Sequence, residues 1–306
     1  MLASCGHRVK AFVRRSLPHS FHFRNPKRMT HKAPIRTAIV TGASAGIGRE
    51  LVRQLASHPK MAEIQVIATA RRADRLDSLA AEFPAGRVLP YVADITDPAQ
   101  RQALMSWARE RFETLDLIVN NAGAGTYAEF EKTPAEAVRN LIALDVEAVI
   151  DLTARAIDWM KPAGHGQIVQ VSSILGEVGL PYSAVYVAAK HAVNGLVKSI
   201  RYELAGSGVS VWAACPAQTV SEFRAVAGSG RTNDVGRGAE PTEKVVASIV
   251  REILRGGRRA LYYPTWQPWA ISHVAWAAPW AWDRIMKRYR KTAAEEDLGI
   301  QETSSR

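Results

Sequence analysis

The order of the apolar runs constrains this chain more than any other feature. From Arg36 onward, short stretches rich in β-forming residues alternate with stretches of helical period. "TAIV" precedes a helix expected over 46–57, "IQVIATA" one over 73–82 and "RVLPYVA" one over 98–112. "LDLIVN" precedes one over 134–160, "GQIVQVSS" one over 184–205, and "VSVWAAC" a shorter helical piece. Such alternation builds βαβ units. Strands this continuously apolar are buried on both faces, so helices must cover a parallel sheet on either side. We therefore expect an α/β fold with a doubly wound, mostly parallel sheet of about seven strands in a single domain. That domain spans 34–263, after a basic leader over 1–33 and before a helical, Trp-rich C-terminal extension over 264–306. With 306 residues, 47% of them hydrophobic, the chain can bury such a core. The Gly/Ser-rich stretch "AVAGSGRTNDVGRG" at 225–238 follows the sixth strand, where open α/β sheets meet their ligands, and reads as a lid candidate.

The net charge of +11 suggests nucleic acid only until it is located along the chain. Residues 1–33 hold eight Lys or Arg and no acid, so the remainder carries +3. Nucleic-acid binding by the folded body is therefore not expected. The leader has three readings: a mitochondrial-type targeting segment, a disordered basic tail, or upstream sequence that is not translated. It lacks the apolar core of a secretory signal, and Met29 stands just before the first strand, so a start at Met29 or a disordered tail is the preferred reading. Cys5 and Cys215 lie far apart, which fits a reducing compartment, and no Cys/His spacing suits a metal. The expected location is cytoplasmic, with membrane association and, less favoured, mitochondrial import as alternatives.

"TGASAGIG", at 41–48, directly follows the first strand and opens a helix. Gly42 permits a tight turn, Gly46 lets backbone approach a diphosphate, and Gly48 lets helix and strand pack closely. The free N–H groups of a helix start favour phosphate, with Ser44 and Ile47 in the same turn. The alternative is a Gly-rich turn with no ligand. The second strand ends in Arg71 and Arg72, where a carboxylate would serve the ribose of NAD. A guanidinium there pairs with a 2′-phosphate, which favours NADP(H) over NAD(H); two solvated arginines are the alternative. Asp94 and Ile95 follow the third strand, Asp94 placed to accept from adenine. Asn121, Ala122 and Gly123 of "NNAG" end the fourth with small residues against which a cofactor could lie.

"VSSILGEVGLPYSAVYVAAKHAV" then places Ser173 at the end of the fifth strand, thirteen residues before Tyr186, with Lys190 one helical turn further. Residues four apart share a helix face, so Tyr186 and Lys190 can address one bound molecule. Together with "CPAQT", which carries Pro216 and Thr219, these motifs resemble the short-chain dehydrogenase/reductase superfamily over roughly residues 35–225. The resemblance implies a Rossmann-like fold and interconversion of a carbonyl and a secondary alcohol. It also implies Tyr186 as acid/base, Lys190 tuning it and holding the nicotinamide ribose, and Ser173 orienting the substrate oxygen. A phenol titrates near about 10, so Lys190 together with the positively charged oxidised nicotinamide is expected to bring Tyr186 down toward neutrality. Two positions depart from the pattern. Asp145 stands where the family has an Asn, and an ionised carboxylate accepts hydrogen bonds but cannot donate them. Ala217 replaces a glycine.

The extension holds Trp266, Trp269, Trp276, Trp280 and Trp282, then Arg284, Lys287, Arg288, Arg290 and Lys291. Its apolar centre is broken by His273 and Pro279 and too short to span a bilayer. It reads as a membrane-interface segment, a lid over a lipophilic substrate, or helices packed on the core or a second subunit. A small hydrophobic carbonyl or alcohol substrate, peripheral membrane contact through the Trp-rich segment and a homodimer or homotetramer are the expected partners. An NADP-dependent oxidoreductase leads, ahead of a cofactor-binding regulator on the same fold and a membrane-surface protein.

Overall fold

Strand β1 (Thr37–Thr41) alternates its side chains between two packed layers, and the whole architecture depends on that. In the computed structural model, which describes residues 34–220 and 239–297, β1 pairs in parallel with both β2 (Gln65–Ala70) and β4 (Leu117–Asn120). The leader at 1–33 and the lid candidate at 225–238 lie outside the described residues. Ala38 and Val40 pack with Leu51 and Leu55 of α1 (Gly46–Ser57) and with Val246 and Ile249 of α7 (Thr242–Arg255). Ile39 faces the other way, toward Leu104 of α3 (Pro98–Arg109), Leu152 of α5 (Ala148–Ala163) and Val197 of α6 (Ala184–Glu203). Two helical layers thus enclose one sheet, as the continuous apolar runs require.

The sheet has seven parallel strands in the order β3-β2-β1-β4-β5-β6-β7, with β3 at Val88–Val92, β5 at Gly166–Val171, β6 at Val209–Ala214 and β7 at Leu261–Tyr262. The chain winds outward from β1 to β3, then returns to the middle at β4 and winds the other way. At this reversal the loops after β1 and β4 part, leaving a crevice at the carboxyl ends of the strands. The crevice brings the TGASAGIG and NNAG turns together, and β5 beside β4 adds Ser173.

The expected helices are found, α1 with the expected bounds and three others ending two or three residues early: α2 at Ala73–Ala80, α3 at Arg109 and α6 at Glu203. The helix expected over 134–160 differs more. It is α4 (Ala135–Ile142), a wider π-type stretch (Ala143–Glu147), and then α5. An extra residue in a turn rotates the next turns of the helix about its axis and is a recurrent feature at functional positions. Here it carries Asp145. The extension forms α8 (Trp266–Ala277) and α9 (Pro279–Asp297).

Glu82, just past α2, ties that segment to α1. Its carboxylate accepts from Arg53 Nε and Nη2, each at 2.7 Å, and from Arg49 Nη2 at 2.9 Å. The Arg53 hydrogen bonds above all, and those from Arg49, hold the Glu82 carboxyl at about 2 against an ordinary 4.5. A depressed carboxyl stabilises the fold above its unfolded value and loses that contribution as pH falls through the folded one. Glu82→Gln should therefore lower unfolding stability at neutral pH by about 1 kcal/mol at this partly exposed site. Urea titrations should show the gap to the native chain narrowing as pH drops below about 4.5; a gap independent of pH would remove the ion pairs from the account.

Candidate active site

The cofactor side of the crevice is built on Thr41 and Asn121. Thr41 Oγ1 accepts from the backbone N–H groups of Asn121 and Ala122, each at 3.0 Å, and Asn121 Nδ2 donates to Thr41 O at 2.9 Å. These bonds clamp the end of β4 to the end of β1. Gly42 has φ +68°, and a Cβ there would come within 2.8 Å of Ala122 Cα. A Cβ on Gly48 would lie 2.3 Å from Asn121 Nδ2 and 2.4 Å from Gly42 O. Both glycines are required by close approach, one also by its backbone angle. Helix α1 then starts at Gly46 with no side-chain cap on its first turn and no acidic residue in it. An uncapped helix start with free N–H groups suits an anion.

Arg72 donates to Ser44 Oγ from Nε at 3.2 Å and Nη2 at 3.0 Å, so its guanidinium sits at the mouth of the turn. Arg71 is largely exposed and lies 3.8 Å from Asp94 Oδ2. Asp94 Oδ1 is occupied by Thr96, from Oγ1 at 2.7 Å and N at 3.0 Å. Ile95 is buried, and its carbonyl accepts from Arg101 at 2.8 Å. The uncapped helix start and the Gly turn therefore fit the diphosphate of a dinucleotide, with two arginines at the end of the neighbouring strand.

Across the crevice, Lys190 and Asp145 meet at 2.9 Å (Nζ to Oδ2), both buried. Lys190 also donates to Val171 O at 3.3 Å, and Asp145 Oδ1 accepts from Ala124 N at 2.8 Å. A Cβ on Gly123 would stand 3.0 Å from Asp145 Oδ2 and 3.4 Å from Lys190 Nζ, so the glycine of NNAG lies flat against this pair. Tyr186, half-buried, has its ring centroid 5.4 Å from Lys190 Nζ, and its hydroxyl hydrogen-bonds to Ser173. Ser173 Oγ accepts from Leu175 N at 3.1 Å, and Pro216 O accepts from Ile174 N at 2.9 Å, which fastens the CPAQT loop beside it. Thr219 is further out, donating to Ala217 O at 3.2 Å and bridging to Glu240.

Among the protein's own groups the Tyr186 phenol stands above its ordinary value: burial raises it most, Lys190 and the Ser173 hydrogen bond lower it, and Asp145 raises it again. Burial works to lower Lys190, but Asp145 and Tyr186 more than offset this and leave the ammonium above the usual lysine range. Cys215 is pushed up to about 12, by burial first and then by Glu177, so it is no nucleophile.

Several residues at this site carry no sequence signature. Ser272 of α8 donates to Glu177 Oε2 at 2.7 Å, and Tyr263 donates to the same carboxylate, which joins the extension to the loop after Ser173. Tyr127 and Tyr289 of α9 share a hydrogen bond at 3.3 Å, and Tyr182 donates to Arg290 O at 3.2 Å. Tyr182 has φ +65°, the one non-glycine with positive φ among the described residues. Tyr127 and Tyr182, with ring centroids 5.7 Å apart, hold α9 onto the loop that precedes Tyr186 through their hydroxyls.

The family pattern described as short chain dehydrogenase matches residues 36–231. The chain is 30% identical over 222 residues to the D-beta-hydroxybutyrate dehydrogenase of Rhizobium meliloti (strain 1021), covering 69% of this chain and 86% of that one. It is 28% identical over 279 residues to human dehydrogenase/reductase SDR family member 7, covering 87% of this chain and 81% of that one. Among solved structures it resembles a short-chain dehydrogenase from Sphingobium yanoikuyae in complex with NADPH, with TM-score 0.69 and 25% identity over 89% of this chain and 98% of that one. The match spans the sheet from β1 to the end of β6, the crevice at its centre and the residues gathered there, and so this chain is an oxidoreductase of the short chain dehydrogenase family.

Proposed function

We propose that the protein is an NADP(H)-dependent enzyme that interconverts a hydrophobic carbonyl compound and its secondary alcohol. The observation that carries this reading is the gathering of Ser173, Tyr186, Lys190 and Asp145 against Gly123, beside the Gly-rich turn. The bound dinucleotide supplies or accepts the hydride. The turn from Gly42 to Gly48 and the open start of α1 hold its diphosphate, and Arg71 and Arg72 pair with its 2′-phosphate. The solved relative from Sphingobium yanoikuyae carries NADPH, which supports the same choice here.

Ser173 fixes the substrate oxygen, and its hydrogen bond with Tyr186 puts that oxygen within reach of the phenol. In reduction, Tyr186 donates its proton as negative charge develops on the substrate oxygen; in oxidation it removes the alcohol proton. Lys190, kept protonated by Asp145, offsets charge left on the phenolate and reaches the nicotinamide ribose. Asp145 acts through Lys190, as a positioning residue. Tyr127 and Tyr182, with rings 5.7 Å apart and bonded to α9, add aromatic surface to the loops around Tyr186, which supports an apolar substrate.

Tyr186→Phe should reduce turnover by about 10²- to 10⁴-fold with NADPH binding retained, as seen by nicotinamide fluorescence; unchanged turnover would leave a regulator on this fold as the better reading. Arg71→Asp with Arg72→Ala should shift the ratio of kcat/KM values from NADP toward NAD, and an unmoved ratio would remove both arginines from cofactor choice. Because the Asp145 carboxylate raises Tyr186, Asp145→Asn should move the pH profile of alcohol oxidation to lower pH. A profile that stays in place or moves upward would assign Asp145 a purely structural role.

A further inference from the structure

We infer that the face formed by α8 and the first three turns of α9 docks on an anionic lipid surface, with its tryptophans in the interface and its cations on the headgroups. Every exposed tryptophan among the described residues lies here: Trp266 is 70% exposed, Trp269 49%, Trp276 85% and Trp280 67%, with Val274 and Ile285 exposed beside them. Trp159 and Trp212, by contrast, are buried in the body. Elsewhere the large exposed apolar residues, such as Phe130 and Tyr202, stand singly, as on most soluble surfaces.

The spacing makes these rings a surface. Trp266, Trp269, His273 and Trp276 recur at three- and four-residue intervals, one face of α8, and His273 stacks on Trp269 with ring centroids 4.3 Å apart. Trp280 begins α9, with Arg284 5.9 Å above its ring. Arg284, Lys287, Arg288 and Lys291 then come in turn on one face of α9, all exposed, and none is paired with an acid among the described side chains. Asp283 is the one acid between Pro264 and Thr292. At the other end of α8, Arg255, Arg258 and Arg259 line an open groove of about 650 Å³ with Trp266 and Trp269, where Glu252 is the single acidic residue. Aromatic rings thus lie between two clusters of cations.

That arrangement selects among occupants. Indole rings and cation stems favour the zone between acyl chains and headgroups, and anionic headgroups complement the flanking charge. A second copy docked by two-fold symmetry on the same patch would set the basic face of α9 against itself. No described helix is long and apolar enough to cross a membrane, so contact is along the surface. On the body side, Ser272 holds α8 through Glu177, and Tyr289 and the Arg290 carbonyl hold α9 through Tyr127 and Tyr182. The helices therefore present the tryptophans outward from a fixed base.

The test is flotation of the full chain with vesicles of phosphatidylcholine alone and of phosphatidylcholine with phosphatidylglycerol, together with tryptophan quenching by brominated lipid. The native chain should float with the anionic vesicles and be quenched by them. Trp276→Ser with Trp280→Ser should weaken binding by about tenfold per ring and reduce the quenching. Arg284→Glu, Lys287→Glu and Arg288→Glu together should abolish the preference for phosphatidylglycerol. Both rings are exposed, so circular dichroism and the unfolding midpoint should be unchanged. The proposal is overturned if the native chain does not float. It is equally overturned if flotation is unaffected by the tryptophan changes, which would assign binding to the basic leader, or if those changes alter only the oligomeric state in sedimentation, which would assign the face to a second copy.

Discussion

The contact between Lys190 and Asp145 organises this molecule's central crevice. Taking two charges out of water costs several kcal/mol per ion, and the pair is tolerated only because each is also held by backbone. Asp145 accepts from Ala124 N at 2.8 Å, and Lys190 reaches Val171 O at 3.3 Å. Those two backbone groups belong to the loop after β4 and the end of β5, so satisfying the pair fastens adjacent strand ends to α6. The requirement then spreads outward. A side chain at Gly123 would crowd the pair, with a Cβ 3.0 Å from Asp145 Oδ2, and the π-type stretch interrupts the long helix where Asp145 sits. Arg101, buried and bound to Glu147 at 3.0 Å and Asp151 at 2.6 Å, holds that stretch from the other side and ties it to the Ile95 carbonyl.

The sheet was legible because its strands are buried on both sides, and burial on both sides leaves an unbroken apolar run. Helix ends are expected slightly long because backbone turns carry the helical period past the last regular residue, as where Glu82 N donates to Leu79 O at 3.2 Å and Phe112 N to Ala108 O at 2.9 Å. The interruption at Ala143–Glu147 had no signature: "ALDVE" suits an α-helix as well as a π turn, and only tertiary contacts with Lys190 and Arg101 decide. Within the crevice, Gly42, Gly48, Asn121, Ser173, Tyr186 and Lys190 could be placed because each sits at a strand end or a fixed helical spacing. The Glu177 cluster and the joined tyrosines could not. Tyr127 and Tyr289 are 162 positions apart, and no local pattern connects them.

The extension shows how one segment can satisfy two opposed demands. Its inner side combines specific hydrogen bonds, from Ser272 to Glu177 and between Tyr289 and Tyr127, with the buried Pro268 and the partly buried Ile271, Trp282 and Met286, while its outer side is aromatic and cationic. A helix packed only on a core would leave a polar outer face, whereas here the outer face carries four exposed tryptophans. Hydrogen bonds fix direction better than apolar contact does, so the inner side sets the angle at which α8 and α9 leave the body.

On the proposed mechanism, the direction of the Tyr186 shift has a consequence for chemistry. Burial and the Asp145 carboxylate together outweigh Lys190 and Ser173, so the phenol keeps its proton at neutral pH. A protonated phenol beside a substrate oxygen is ready for reduction, where negative charge grows on that oxygen as hydride arrives. Oxidation asks for the opposite state, and nothing among the protein's own described groups supplies the further positive charge that would favour it. An oxidised nicotinamide, when bound, would bring such a charge. Asp145 thus serves two ends that pull apart: it keeps Lys190 charged, and it limits how far that charge can acidify the phenol.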